Sequence, residues 1–558
     1  MSGLNISNRD PLPEDLYPCH RMAWSDFDAL ARGDGGARVV RQLRRVERDR
    51  RLLLIRALLD RVTEAPPGAW ELLARVEQAA PEVLELVLAH PYTGSWAGYA
   101  TRLESPGWRD AGYVHALAAA AAIRAGIDFR IPIPVRDGYS ILPTLGVIRL
   151  PRGESMADVH AEAGTIDVHS GLSEIRLPRD LTTGTAQWWG VRRIQAGGWR
   201  LRLDDLDPYR GTREPLPPQR LTEPEAVLWH RLISDAWDLI RDRLPDFAEA
   251  LRAGFQSVTP LPFEFFRTPS ASSSDAFGSA ILGRPGDAPT LAAMIVHEFQ
   301  HNRLAVLAQL APLWEEDPRE RFYAPWRDDP RPIGGFVQGL YAFFGVAAFW
   351  RETDRFEFAY HRLVTWRALT ALRGDPGLTA AGRRFVAGIA GVLGPWQDEP
   401  VAAQELASAR LAADDHWLGW RIRYLRPAPA LVETLARAWR DGGSPRLRLP
   451  ADAPPVREPD GDWSHARADL MRSATAPGST AADHALVSGR FEEAARGYQA
   501  QLAADPDSPV ALAGLALSTM DERHALRRCP ELVRAVHRRI GRPATVLEVA
   551  DWLDGVVG

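Results

Sequence analysis

Two histidines one helical turn apart carry the clearest chemistry in this chain. The stretch Met294-Ile295-Val296-His297-Glu298-Phe299-Gln300-His301 holds the pattern H-E-x-x-H inside an apolar run. A helix completes a turn every ~3.6 residues, so His297 and His301 fall on one face. Two neutral imidazoles at that spacing can grip one divalent transition metal. Glu298 points about a quarter turn away, where it can face a water beside the ion or hold the helix in place. The bare pattern also arises by chance, so two ordinary surface histidines remain the bland alternative.

The elements around the pair favour the metal reading. From Thr290 to Leu310 there is no Pro or Gly, and good helix formers dominate. Leu291, Met294, Ile295, Leu304, Val306, Leu307 and Leu310 give this helix an apolar face, so an amphipathic helix is expected. A short strand at Gly278 to Gly283 precedes it, with a turn at Arg284-Pro285-Gly286-Asp287 between. Strand, turn and metal-bearing helix is also the layout of zinc-peptidase cores, an analogy of arrangement only.

The third ligand decides the reaction. Zinc hydrolysis needs a third protein ligand, a water and a neighbouring carboxylate base. Oxygen activation by iron(II) needs three ligands on one side, with positions left for a 2-oxo acid and O2, and a cation for the far carboxylate. No H-E-x-x-H-x-x-G-x-x-H continuation exists, because Asn302, Arg303 and Leu304 follow His301. The apolar helix Gly334 to Glu352 offers Gln338 and the Tyr341 hydroxyl before Arg351, and Glu315, Glu316 and Asp317 lie in a loop. His416 is the stronger candidate, with Asp415 beside it and Arg421 and Arg423 within two turns. A helix face bridged by salt links is the competing reading of that cluster.

Composition sets outer limits. The chain has 558 residues, 46% apolar, with a formal net charge of -5. That length allows three or four domains, and the charge gives no general pull toward nucleic acid or an anionic membrane. Its two cysteines, Cys19 and Cys529, argue against a disulfide framework, a Cys-rich zinc site or an iron–sulfur cluster. Residues 1–15 are polar without an apolar core, and no apolar run reaches ~20 residues, so neither a secretory signal nor a membrane span is expected. A soluble cytoplasmic protein is the expectation.

The fold class expected is α+β, mostly helical. Residues 1–126 form an N-terminal helical region. Residues 127–222 form a β-rich segment of five or six strands, with His160 and His169 flanking a hairpin turn at Gly164. Residues 223–440 hold the metal helix, beginning with one helix over Glu223 to Ala253. Pro, Gly and Ser mark 441–480 as a linker. Residues 481–558 resemble one tetratricopeptide unit followed by a last helix, Pro530 to Ile540.

Three stretches together, His297-Glu298-Phe299-Gln300-His301, Gly335-Phe336-Val337-Gln338-Gly339-Leu340-Tyr341-Ala342-Phe343, and Asp415-His416 followed by Trp420-Arg421-Ile422-Arg423, resemble the HExxH-type peptide β-hydroxylase family, over roughly residues 20–430. The resemblance implies Fe(II), 2-oxoglutarate and O2 acting on a β-carbon of a ribosomally made precursor peptide. His297, His301 and His416 would hold the iron, Arg421 or Arg423 the distal carboxylate, and Glu298 would orient a ligand or water. The family pattern favours a histidine near Gln338, so this chain departs there. Precursor peptide and a partner maturation enzyme are the implied interactors; no radical-SAM cysteine cluster is present. The rivals are a zinc metallopeptidase with Glu298 as general base, and a peptide-binding repeat scaffold with a degenerate metal site.

Overall fold

The computed structural model describes residues 20–62, 66–261, 269–444, 454–473, 476–519 and 521–556. Residues 1–15, where no secretory signal is expected, and Cys19 lie outside these. The chain is α+β and mostly helical.

Among the described residues seven helices come first: α1 (Trp24–Ala31), α2 (Gly36–Leu59), α3 (Ala69–Ala79), α4 (Pro81–Leu88), α5 (Pro91–Arg102), α6 (Trp108–Ala111) and α7 (Tyr113–Ala125). Nine short strands follow, more than expected: β1 (Phe129–Pro134), β2 (Tyr139–Leu142), β3 (Gly146–Arg149), β4 (Met156–Glu162), β5 (Thr165–Ser170), β6 (Ser173–Arg176), β7 (Trp188–Gly190), β8 (Arg192–Ala196) and β9 (Trp199–Leu203). Their brevity explains the undercount, since three or four residues show little alternation. His160 and His169 do flank the β4–β5 hairpin, opposite Asp167 and Asp158.

The predicted helix from Glu223 divides into α8 (Glu223–Arg243) and α9 (Pro245–Gly254). Pro245 lacks an amide hydrogen and restricts the residue before it, so the chain breaks at Leu244 and Pro245 starts the next helix. Then come β10 (Ser257–Leu261), β11 (Ser270–Ala271), β12 (Ser279–Gly283) and the histidine helix, α10 (Ala288–Leu310). The Asp287 carboxylate caps α10 by accepting the Thr290 amide hydrogen at 2.8 Å. Strands β8 to β12 form one mixed sheet in the order β11-β12-β10-β9-β8. Here β9, β10 and β12 run parallel, and the short edge strand β11 runs antiparallel to β12.

Beyond α10 lie α11 (Ile333–Arg351), α12 (Arg355–Leu372), α13 (Ala380–Trp396), α14 (Ala403–Tyr424) and α15 (Pro429–Arg440). Helix α11 is long and apolar enough to cross a membrane, the one such helix among the described residues, yet 67% of its apolar window is buried inside the protein. It lies between α10 and α12. The C-terminal helices are α16 (Ala466–Arg472), α17 (Ala481–Val487), α18 (Phe491–Ala504), α19 (Pro509–Ser518), α20 (Ala525–Arg528), α21 (Pro530–Ile540) and α22 (Val546–Val556).

The largest core joins α1, α2, the mixed sheet and α8 to α13. A second joins α2 to α7 with the small sheets. A third gathers α14 and α15 with the C-terminal helices.

Candidate metal centre

Helix α10 is buried on nearly every side, not only along the apolar stripe expected. Leu291, Ile295, Phe299 and Leu304 are fully enclosed, and so are the polar Glu298, Gln300, Asn302 and Arg303. A helix with polar groups on its inner faces is stable only where those groups find partners. Asn302 finds three: its Nδ2 donates to the carbonyls of Glu298 (2.8 Å) and Ser279 (3.2 Å), and its Oδ1 accepts the Gly278 amide hydrogen. Arg303 donates to the carbonyls of Asp34 (2.7 Å) and Gly33 (3.2 Å) and to the Gln300 side chain, with Phe247 beneath its guanidinium. The helix is thus pinned to β12 on one side and to the α1–α2 turn on the other.

On this fixed helix the Nε2 atoms of His297 and His301 lie 3.1 Å apart. Two nitrogens bound to one ion at about 2.0–2.1 Å each can span that separation. The Nδ1 of His301 lies 3.1 Å from Oε1 of Gln338 on α11. An amide oxygen only accepts, so Nδ1 carries the proton and Nε2 is left with its lone pair toward His297. Gln338 therefore positions His301. Burial is the leading cause holding His297 well below the usual histidine range, followed by charge on His301 and His361. A neutral imidazole is the form that binds metal.

The walls are aromatic. The Phe343 ring lies edge-on to His297 with centroids 4.8 Å apart, and Trp326 stacks on its other side at 4.9 Å. Gly339 makes room for that indole, which a Cβ would strike. His361 of α12 stacks near Phe343 at 5.7 Å. Its Nε2 lies 3.5 Å from Glu357, one turn earlier, and Arg472 of α16 grips Glu357 with two nitrogens at 2.6 and 3.1 Å. The Nδ1 of His361 is buried without a hydrogen-bond partner, and burial pulls this histidine down to about 4. A carboxylate behind one ring nitrogen with the other left bare is the usual support for a metal-ligating histidine. The pair Glu357-x-x-x-His361 is legible in the sequence at i, i+4 but has no familiar motif to flag it.

Glu298 is 2% exposed, with one oxygen 3.9 Å from the His297 Nε2 and the other without a partner.

The other expected site residues lie in different company. His416 meets the Tyr323 hydroxyl at 2.8 Å through Nδ1, and its Nε2 lies 3.7 Å from Asp328, which His465 also approaches at 3.3 Å. Among the described residues no contact joins His416 to His297 or His301. Arg421 makes a buried two-nitrogen ion pair with Glu531 of α21, at 3.0 and 2.6 Å. Arg423 donates to the Gly461 carbonyl at 3.2 Å, and Asp415 is taken by the buried Arg467. These residues fasten α14 to the C-terminal helices. Arg421 and Arg423, expected to hold a carboxylate, lie in these contacts.

Among the described residues no three His, Cys, Asp or Glu side chains are gathered closely enough to enclose an ion as they stand. The donor chemistry of the pair nonetheless fits a divalent transition metal. No protein-family model matches the chain, and no curated protein is similar to it.

Proposed function

We propose that this protein is a cytoplasmic Fe(II)- and 2-oxoglutarate-dependent hydroxylase, acting on a β-carbon within a ribosomally made precursor peptide. One observation carries the reading: two converging Nε2 atoms on a buried helix, with the tautomer of His301 set by Gln338. The family resemblance of the same residues supplies the reaction class. In this reading His297 and His301 hold the iron, and His361, braced by Glu357 and Arg472, is the third donor in preference to His416. Neutral imidazoles leave the ion's charge to be met by anionic ligands such as an oxo acid. Iron with 2-oxoglutarate and O2 would supply the oxidising power for C–H hydroxylation. The chain's own part is to keep His297 and His361 neutral by burial, to place the His301 proton on Nδ1 through Gln338, and to exclude water with Phe343 and Trp326.

The C-terminal helices are, in the same proposal, tetratricopeptide-like. Gly497 on α18 lies against Ala482 on α17, and Gly514 on α19 lies against the Tyr498 ring, the small-residue crossings such repeats use. They cap the catalytic region through Arg421–Glu531 and Arg467–Asp415.

Glu298 favours a second reading. A buried carboxylate beside His297 with one unpartnered oxygen is where a zinc peptidase keeps its general base, and β11 and β12 could align a peptide as an added strand. One experiment separates the two. Purified full-length protein is incubated anaerobically with Fe(II), 2-oxoglutarate and a peptide encoded beside its gene, and O2 is then admitted. Succinate formed together with a peptide gaining one oxygen atom supports the hydroxylase. Peptide cleavage with 2-oxoglutarate untouched and zinc required supports the peptidase.

A further inference from the structure

Arg331 stands at the entrance to α11 with part of its guanidinium unused. Its backbone bridges to Phe322, which fixes where the side chain starts. Its Nη1 lies 3.3 Å from Asp329, a carboxylate that Arg327 already holds more closely, at 2.7 Å. Two cations thus share one acid. Asp328, next in the loop, meets His416 and His465. The Arg331 Nε is enclosed and has no hydrogen-bond partner, an unusual state for a buried donor.

Gly335 shows where that donor lies. A Cβ there would come within 3.0 Å of the Arg331 Nη2 and 3.2 Å of its Nε. The Nε–Nη2 edge, a fork that matches a carboxylate, therefore rests beside the first turn of α11, where glycine leaves the space open. Residues advance by about 100° and 1.5 Å each along a helix. Gln338 is then about 60° from Gly335 on one side and Gly339 about 40° on the other, both roughly one turn further on. Gln338 touches His301, Trp326 covers Gly339, and Phe343, one turn beyond Gly339, meets His297. The Arg331 fork thus lies on the side of α11 that faces the histidine pair, at a position about 5–6 Å from the root of Gln338. Solvent reaches both, for the His297 side chain is 18% exposed and that of Arg331 30%.

We propose that Arg331 and Gly335 form a carboxylate subsite beside the metal centre. A ligand that reaches the ion with one end is gripped at the other by Nε and Nη2 of Arg331. A small dicarboxylate and an acidic side chain of a peptide present the same group to this fork. Lysine would supply the charge without the paired donors. The subsite rests on the metal centre of the proposed function and not on the reaction assigned to it.

The test uses full-length protein loaded with Co(II) and two matched pairs of probes, with affinities read by titration calorimetry. 2-Oxoglutarate is compared with 2-oxopentanoate, which carries a methyl group in place of the far carboxylate. A capped Ala-Gly peptide with one central Asp is compared with its Asn form. Wild type is expected to bind the acid of at least one pair about ten- to hundredfold more tightly than its neutral partner. Arg331→Met should abolish that preference while binding Co(II) and the neutral probes as before, and Arg331→Lys should restore only part of it. Gly335→Ala introduces a better helix former, so it should narrow the preference with no loss of thermal stability, which separates a blocked fork from a damaged fold. A preference in the oxo-acid pair gives the subsite to a small dicarboxylate, and one in the peptide pair gives it to the substrate; either supports it. Equal affinities within both pairs, binding of none of the four probes, or a preference that Arg331→Met leaves intact overturns it. Failure of the hydroxylase reading would appear instead as absent succinate, and would leave an Arg331-dependent preference standing.

Discussion

The Nδ1 of His301 faces the side-chain oxygen of Gln338 at 3.1 Å, a bond between α10 and α11 that decides which imidazole nitrogen is left bare. Outer partners of this kind commonly contribute 10- to 100-fold in metal affinity. Gln338→Leu is therefore expected to weaken Fe(II) or Co(II) binding by about tenfold, read by anaerobic titration, with little change in thermal stability. Gln338→Glu keeps the acceptor and should retain affinity. Equal affinities for wild type and Gln338→Leu would remove Gln338 from the site.

The third donor can be tested by comparing two histidines. His361→Ala should reduce metal affinity by at least tenfold, as Glu357→Ala should to a lesser degree by releasing the ring. His416→Ala should leave metal affinity unchanged and lower stability by about 1 kcal/mol, through its lost bond to Tyr323. The reverse pattern would return the third position to His416.

What the chain discloses before folding follows from the range of the interactions involved. The α10 helix, its Asp287 cap and the β4–β5 hairpin are local, and residue types a few positions apart specify them. The histidine pair is likewise local to one helix. Gln338 reaches His301 only through packing of α11 on α10, and Arg472 reaches Glu357 beside His361 only through packing of α16 on α12; no spacing in the sequence reports either. The same limit holds for Arg421: it stands five residues from His416 in the sequence, while the carboxylate it pairs with, Glu531, lies 110 residues away.

Asn302 is a structural counterpart to the histidines. Its amide bridges α10 to Gly278 and Ser279 at the start of β12. Asn302→Ala strands a buried amide hydrogen and carbonyl, each worth about 1–3 kcal/mol. A loss of roughly 2–4 kcal/mol in urea unfolding is expected, together with a weaker metal site, because the helix would no longer be fixed against the sheet. Asn302→Asp keeps the acceptor for Gly278 but sets a buried carboxylate oxygen against the Glu298 and Ser279 carbonyls, so it should lose at least as much.

The junction between the two large cores holds a buried acidic pair that should make stability fall as pH rises. Asp204 and Asp207 follow β9 and are both fully enclosed. Asp207 accepts the Tyr209 amide hydrogen and the Tyr113 hydroxyl, each at 2.9 Å, while one Asp204 oxygen has no partner. Burial, and next the charge of Asp204, push Asp207 up to about 7 from 3.8. The folded chain then holds a proton between about pH 4 and pH 7 that the unfolded chain releases. Its stabilising effect is complete below about pH 4, is lost as pH rises to about 7, and changes little above that. The full swing is on the order of 2–4 kcal/mol. Asp207→Asn imitates the protonated side chain, so its unfolding midpoint should change less between pH 5 and pH 8 than that of the wild type. Parallel midpoint curves for the two proteins across that range would show that Asp207 is already ionised in the fold.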